Sequence, residues 1–230
     1  MDLILLSVLL SILLVTVFIV TYLKGYPLKS FMTKALASFS FIHLFLMIMS
    51  EKGFLFKDFH YYILSGLVFG LLGDLYLALR EIKTEAHYEL VKGGMILFGI
   101  GHIFYLFGLT EIEYLNPWVI IGAILFAGMV YLMSKILRYQ MPRYLWFYHI
   151  LYSIVIFMML GQSFYISIMR DFDMASLIFL CGAICFVISD LILANIYFLG
   201  MKKNIHYISN YMTYYLAQIL IALSVLYYVF

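Results

Sequence analysis

The sequence has 230 residues, of which 66% are hydrophobic and only 11% are charged. Soluble domains are about 45–50% apolar and about 25% charged, so this composition excludes an ordinary soluble domain and predicts a polytopic membrane protein. The formal net charge of +2 gives no indication of a nucleic-acid partner. Cys181 and Cys185 lie four residues apart in one apolar stretch. We expect them to be packing residues rather than a disulfide or a metal site.

Apolar runs long enough to cross a membrane recur eight times along the chain. They predict transmembrane helices at residues 3–23, 33–50, 59–79, 93–109, 117–134, 145–169, 174–199 and 207–230. The first run lacks a basic n-region and a small-residue cleavage site, so we expect a first span rather than a cleaved signal peptide. The sequence therefore predicts an all-α fold, a bundle of eight transmembrane helices that forms a single transmembrane domain over residues 1–230.

Lysine and arginine are distributed unevenly between the two sides of the predicted bundle. One side carries eleven of the fourteen basic residues, and the other carries only Lys52, Lys57 and Arg170. The positive-inside rule assigns the side with eleven to the cytoplasm, and eight spans then leave both termini outside. Frequent Ile, Phe, Tyr and Lys with little Ala indicates an AT-rich bacterial genome. This favours a bacterial cytoplasmic membrane, with the endoplasmic reticulum as the alternative for a eukaryotic source.

Two aspartates lie inside predicted spans, each within the pattern small-Asp-Leu-x-Leu-Ala. Asp74 is in the third span and Asp190 is in the seventh, 116 residues further on. A charged side chain in the hydrocarbon costs roughly 2.5–3.5 kcal/mol on insertion scales, so two of them in one repeated motif indicate a function. Both spans run from outside to cytoplasm, and we expect both carboxylates in the cytoplasmic half of the bilayer.

The offset of 116 residues also relates other positions, for example Gly66 and Gly182. We therefore predict two four-helix repeats, residues 1–115 and 116–230, in parallel orientation about a pseudo-twofold axis along the membrane normal. In that arrangement the two aspartates face each other near the axis. Chance matching within a leucine-rich sequence is the alternative explanation.

The aspartate pair is compatible with three roles. The carboxyls could hydrogen-bond neighbouring helices, form a proton or cation relay in a transporter, or act as a general acid and a general base. Burial together with a neighbouring like charge allows one carboxyl to hold a proton while the other stays ionised. This division of labour favours the catalytic role. A lipid-binding protein without turnover is a further alternative.

Other polar side chains lie near the level of the aspartates in the fourth and eighth spans. The candidates for participation in the site are His102, Tyr105, Tyr214, Tyr215 and Gln218. Lys34 is the other charged residue inside a predicted span, and it is either a positive-inside charge or a contact to a lipid phosphate. A haem bound by His43 and His102 is a remote alternative. Because no cluster has the spacing of metal ligands, we expect no metal and no cofactor.

At these positions the sequence resembles the lysoplasmalogenase-like (YhhN-like) integral membrane family. The resemblance covers most of the chain and is carried by residues 73–74, 98–105, 182–194 and 213–218. Where the family often has Lys-Pro early in span two, this chain has Lys34-Ala35. The resemblance implies an eight-span, metal-independent enzyme that hydrolyses the vinyl ether bond of lysoplasmalogens. The products would be a fatty aldehyde and glycerophosphocholine or glycerophosphoethanolamine.

Hydrolysis of a vinyl ether begins with protonation of the β-carbon, and water then adds to the resulting oxocarbenium ion. We hypothesise that Asp74 and Asp190 are the acid and the base, without assigning which is which. The predicted partners are a lysophospholipid substrate and membrane lipids, with no nucleic acid. The alternative function is a proton-coupled transporter of a small or lipidic solute. The predicted substrate-binding residues are His102, Tyr105, Ser189, Tyr214, Tyr215, Gln218 and Lys34.

Overall fold

The computed structural model describes residues 2–228, and these residues form eight long α-helices. The helices are α1 (Asp2–Leu23), α2 (Pro27–Glu51), α3 (Asp58–Leu79), α4 (His87–Thr110), α5 (Pro117–Ile136), α6 (Leu145–Met169), α7 (Met174–Phe198) and α8 (Asn204–Tyr227). A single 3-10 turn, Thr84–Ala86, precedes α4. The predicted all-α class and the predicted number of helices are confirmed.

Two helices, α2 and α4, begin six residues earlier in the chain than predicted. α2 starts at Pro27 rather than at residue 33, because proline is favourable in the first turn of a helix, where its missing N–H has no intrahelical acceptor. α4 starts at His87 rather than at residue 93. Its first turns carry Glu89 and Lys92, which pair with each other, and such charges end an apolar run in the sequence without ending a helix.

Among the described residues, α1 to α7 are long and apolar enough to cross a membrane. The protein is therefore a multi-pass integral membrane protein. α8 has 24 residues but is less apolar, because it packs against α1, α2, α3 and α7 and buries polar side chains such as Asn210 and Gln218. A helix that faces other helices does not need an apolar surface all round. The eighth span stays a prediction, and its predicted end at residues 229 and 230 lies outside the described chain.

Consecutive helices pair as hairpins, and further contacts join the hairpins into one bundle. α2 packs against α8 in the way that α6 packs against α4. A Cβ atom on Gly101 would lie 3.1 Å from the carbonyl oxygen of Gly66, and a Cβ atom on Gly182 would lie 3.1 Å from that of Ala217. These two close approaches are related by the offset of 116 residues. They agree with the internal repeat, which itself stays a prediction.

The four connections rich in lysine and arginine lie at one end of the bundle, called the basic end below. The backbone N–H of Gln140, between α5 and α6, donates to the carbonyl of Phe198 at 2.9 Å. Arg80, between α3 and α4, stacks on the ring of Tyr197, and a cavity that Arg80 lines also reaches Tyr22 at the end of α1. The assignment of the basic end to the cytoplasm stays a prediction.

Candidate active site

Asp74 lies on α3, five residues before that helix ends, and only 2% of it is exposed. Its carboxylate is bound from two neighbouring helices. The Lys34 ammonium of α2 is 3.1 Å from Oδ1. The hydroxyls of Ser38 and Tyr214 each donate to Oδ2 at 2.6 Å. Charge-assisted hydrogen bonds of this kind stabilise an ionised carboxylate. The ammonium of Lys34 and the two hydroxyls therefore favour the ionised form of Asp74.

A chain of hydrogen bonds supports this arrangement from behind. The Tyr105 hydroxyl donates to Oε1 of Gln218 at 2.7 Å, and Nε2 of Gln218 donates to the Tyr214 hydroxyl at 3.1 Å. The Tyr215 hydroxyl lies 3.0 Å from the Ser38 hydroxyl. The two hydroxyls that donate to the Asp74 carboxylate, those of Ser38 and Tyr214, therefore each contact a further polar side chain. The chain connects α4 and α8 to the aspartate on α3.

Asp190 lies on α7, eight residues before that helix ends, and it remains partly exposed. The Tyr152 hydroxyl of α6 donates to its Oδ2. The same hydroxyl is 3.0 Å from Nε2 of His102 on α4, which is fully buried. The ion pairs within residues 2–228 involve other carboxylates, so no lysine or arginine there neutralises Asp190.

Both aspartates line one small cavity between α2, α3, α4, α7 and α8, called the polar cavity below. Lys34 and Tyr214 line it together with the two carboxylates. Ser189 and Asn210 also line it, and they bind each other. Nδ2 of Asn210 donates to the Ser189 hydroxyl at 2.9 Å and to its carbonyl at 2.8 Å. This pair joins α7 to α8 beside the carboxylates.

A second, apolar cleft lies mainly between α4, α5, α6 and α7, with about 690 Å³ of space, part of it open to the surroundings. This size is within the range of roughly 300–1,000 Å³ for ligand pockets. Side chains such as Met95, Ile156 and Val187 line the cleft, and Tyr152 and Asp190 supply polar groups. Asp190 lines both spaces and therefore stands at the junction between the apolar cleft and the polar cavity.

The predicted site residues divide into two groups. Five of them line the polar cavity: Lys34, Asp74, Ser189, Asp190 and Tyr214. The other four are connected to the aspartates through hydrogen bonds without lining that cavity: His102, Tyr105, Tyr215 and Gln218. Lys34 is buried and its ammonium is paired with Asp74, so it is not simply a loop charge; a contact from Lys34 to a lipid phosphate stays a prediction.

The sequence analysis missed Ser38, Tyr152 and Asn210. Ser38 had a signal, because it follows Lys34 by four residues and so shares its helix face. Tyr152 had none, since it is one of 21 tyrosines and meets Asp190 only through the packing of α6 on α7. In the described part of the chain, no group of three or more His, Cys, Asp or Glu side chains is placed to hold a metal ion.

The model of the YhhN family matches residues 26–225. The match covers every residue named above as lining the polar cavity and most of the chain. This chain belongs to the YhhN family. The YhhN family includes lysoplasmalogenases, and the resemblance inferred from the motifs is confirmed. No curated protein and no solved structure matches the chain.

Proposed function

We propose that this YhhN-family protein hydrolyses the vinyl ether bond of lysoplasmalogens to a fatty aldehyde and glycerophosphocholine or glycerophosphoethanolamine. The observation that carries the proposal is the place of Asp190, where the apolar cleft meets the polar cavity that holds Asp74. A single-chain lipid likewise has an apolar chain joined to a polar part. Its alkenyl chain fits the cleft and its glycerol part fits the polar cavity, so the vinyl ether bond between them lies at the carboxyls.

Asp190 is the general acid in this proposal. No cation in the described chain neutralises it, and the cleft beside it is apolar. A carboxylate without a compensating cation is expensive within a membrane-spanning helix, so Asp190 holds a proton in this proposal. The Tyr152 hydroxyl donates to one carboxyl oxygen, which leaves the other oxygen free to carry the proton towards the substrate.

Asp74 is the general base. Lys34 compensates its negative charge, so it stays ionised beside a neutral Asp190. Its Oδ2 accepts from two hydroxyls, whereas Oδ1 contacts only the Lys34 ammonium among the described residues. A carboxylate has about four acceptor sites. Oδ1 therefore retains a lone pair that can accept a proton from water.

The reaction then proceeds in three steps. The proton of Asp190 is transferred to the β-carbon of the vinyl ether, and the electrons of the double bond form the new C–H bond. The oxocarbenium ion that results is stabilised by the Asp74 carboxylate. Water adds to the cationic carbon as Asp74 takes its proton, and the hemiacetal collapses to aldehyde and glycerol alcohol. In the collapse, the C–O bond to glycerol breaks and the hydroxyl proton of the hemiacetal passes to the departing glycerol oxygen. The proton gained by Asp74 returns to Asp190 across the polar cavity that both carboxyls line, so the starting state is restored and the net reaction consumes one water.

The same proposal includes the topology. We propose that α8 also crosses the membrane, so that both termini lie outside and the basic end lies in the cytoplasm. Eleven of fourteen lysines and arginines then face the cytoplasm. The two predicted four-helix repeats, residues 1–115 and 116–230, have parallel orientation in this arrangement.

The direct test is aldehyde release from a 1-alkenyl lysophospholipid by the purified protein in detergent. We expect turnover of the vinyl ether and none of the saturated alkyl ether analogue, because only the vinyl ether forms an oxocarbenium ion on protonation. Asp74→Asn and Asp190→Asn are each expected to reduce turnover by about 10²–10⁴-fold. Asp58→Asn, at the exposed start of α3, is the matched control and should retain it.

The outcome that contradicts the proposal is the absence of aldehyde from a folded protein that still binds the lysolipid. A proton-coupled carrier, the alternative function, would instead show solute uptake in sealed vesicles that depends on a proton gradient and on both aspartates. A hydrolase releases aldehyde without any gradient, so the two functions give different results in the same pair of assays.

A further inference from the structure

A third space lies at the basic end, next to the α3–α4 and α7–α8 connections. It encloses about 820 Å³, partly open to the surroundings, and is called the basic-end pocket below. Arg80, His87 and Lys202 line it together with Glu81. Its wall also includes the aromatic side chains of Tyr88, Tyr197 and Tyr207. Unlike the apolar cleft, this pocket offers groups of both charges within one space.

Arg80 is unusual among the basic residues because only 10% of its side chain is exposed. Its guanidinium lies 4.1 Å from the centre of the Tyr197 ring, and its Nη2 pairs with Glu81. Its Nε is buried and has no hydrogen-bond acceptor within residues 2–228. Burial disfavours the charge, but Tyr197 and Glu81 raise the pKa of Arg80 above its usual value, so the side chain is a buried cation with an unused donor.

The basic-end pocket is linked to the candidate active site. A narrow cavity lies between the two spaces, because it shares Arg80 and Tyr197 with the basic-end pocket and Lys34 and Tyr197 with the polar cavity. Arg80 follows Asp74 by six residues and caps the C-terminus of α3. This separation corresponds to a rise of roughly 9 Å along the helix axis, at 1.5 Å per residue. The glycerol of a lysophospholipid places five bonds of about 1.5 Å between the ether oxygen and the phosphorus, or at most roughly 7 Å. The rise along the helix and the length of the glycerol phosphate are therefore of similar magnitude.

We propose that the basic-end pocket binds the zwitterionic headgroup of the lysophospholipid, with Arg80 and Lys202 holding the phosphate and Glu81 holding the ammonium. This inference rests on the proposed function for the identity of the lipid. Arginine binds phosphate through several N–H donors in a fixed fork, and Arg80 lines the pocket. The tyrosine rings of the pocket are suited to a quaternary or primary ammonium.

Binding of uncleavable lipids tests the inference separately from catalysis. The probes are a saturated 1-alkyl lysophosphoethanolamine and the 1-alkyl glycerol that lacks the phosphate headgroup, each titrated into the purified full-length protein in detergent. We expect Arg80→Gln to weaken binding of the lysophospholipid about 10-fold or more, because a charge-assisted hydrogen-bonded contact is lost. Binding of the alkyl glycerol should not change. Arg80→Lys should restore part of the affinity.

Lys202→Gln and Lys203→Gln are a matched pair of neighbouring exposed lysines, of which only Lys202 lines the pocket. We expect a loss of about 3-fold for Lys202→Gln, as for an exposed charge contact, and no loss for Lys203→Gln. This pair decides the matter if Arg80→Gln does not fold. Equal losses for both lysines, or an equal loss of both lipids with Arg80→Gln, would overturn the inference.

Competition distinguishes a lipid headgroup from free phosphate. Glycerophosphoethanolamine should displace the bound lysophospholipid at a lower concentration than inorganic phosphate does, because only the former also offers an ammonium to Glu81. Equal displacement by phosphate would instead identify a simple anion site and contradict the headgroup assignment. If these binding results hold but no aldehyde forms from the vinyl ether, the proposed hydrolysis fails while the headgroup site stands.

Discussion

Asp74 and Asp190 occupy the same place in two copies of one motif, yet their surroundings differ in charge and in polarity. Asp74 accepts from two hydroxyls and pairs with the ammonium of Lys34. Asp190 accepts from the single hydroxyl of Tyr152 and borders an apolar cleft. Two copies of one sequence motif can therefore place the same residue type in different chemical surroundings. In the proposed mechanism, the Lys34 ammonium on α2 is the difference that makes Asp74 the base and Asp190 the acid.

The largest effect is expected when either carboxyl is removed. Asp74→Asn and Asp190→Asn should each reduce turnover of the vinyl ether by about 10²–10⁴-fold, the usual contribution of a general acid or base. Only Asp74→Asn should also reduce stability, by about 3–5 kcal/mol, because it leaves the Lys34 ammonium buried without its partner. Turnover and denaturant unfolding of the same preparations check both parts. Equal stability of the two variants would contradict the difference drawn between the two sites.

Removal of the cation should have the next largest effect. Lys34→Met keeps the length of the side chain and leaves the Asp74 carboxylate uncompensated, so we expect a loss of about 3–5 kcal/mol in the free energy of unfolding. The double variant Lys34→Met/Asp74→Asn should be more stable than the sum of the single losses predicts, by about 1–3 kcal/mol. Lys24→Met, an exposed lysine at the same end, is the control. Additive losses would show that the two side chains are not paired.

Tyr152→Phe should reduce turnover by changing the surroundings of Asp190. It removes the hydroxyl that donates to Asp190 and contacts His102, and we expect turnover to fall about 3- to 10-fold, as for the loss of one hydrogen bond. Tyr148→Phe changes a tyrosine one turn earlier on α6 that, unlike Tyr152, does not line the apolar cleft. Turnover measured for the two variants gives the contrast. An equal effect of both would remove Tyr152 from the site.

Ser38→Ala is expected to have the smallest effect. Asp74 keeps its bonds to Tyr214 and Lys34, so the loss of one donor should cost about 1 kcal/mol of stability or less. Turnover should change by less than with Tyr152→Phe. We expect this ranking because Asp74 has several donors and tolerates the loss of one, whereas Asp190 has the single donor Tyr152. The reverse ranking would indicate that Ser38 contacts the substrate.

Much of the fold could be predicted from sequence because a bilayer restricts it so strongly. Apolar length alone indicates each span, and the charged first turns of α4 explain why its start was misjudged. The aspartates could be found because a charge in a span is costly. The partner of Asp74 also had a signal, since Lys34 was the other charge inside a predicted span and buried charges need compensation.

The remaining parts of the site depend on packing between helices that are distant in sequence. Tyr152 reaches Asp190 across 38 residues, and nothing local distinguishes it from other tyrosines. Arg80 appeared to be one of many loop charges, because its burial arises only when α7 places Tyr197 against it. The role of such residues depends on which side chains pack against them. The local pattern of a single sequence does not show those contacts.

In the proposed mechanism Asp190 carries a proton while Asp74 is ionised. Infrared difference spectroscopy measures the protonation state of these carboxyls directly. The C=O stretching band of a protonated carboxyl should be present in the wild-type protein in detergent at neutral pH and should shift on exchange into heavy water. We predict that this band is lost in Asp190→Asn and kept in Asp74→Asn. A band that is lost in Asp74→Asn and kept in Asp190→Asn would contradict the assignment of the acid and the base.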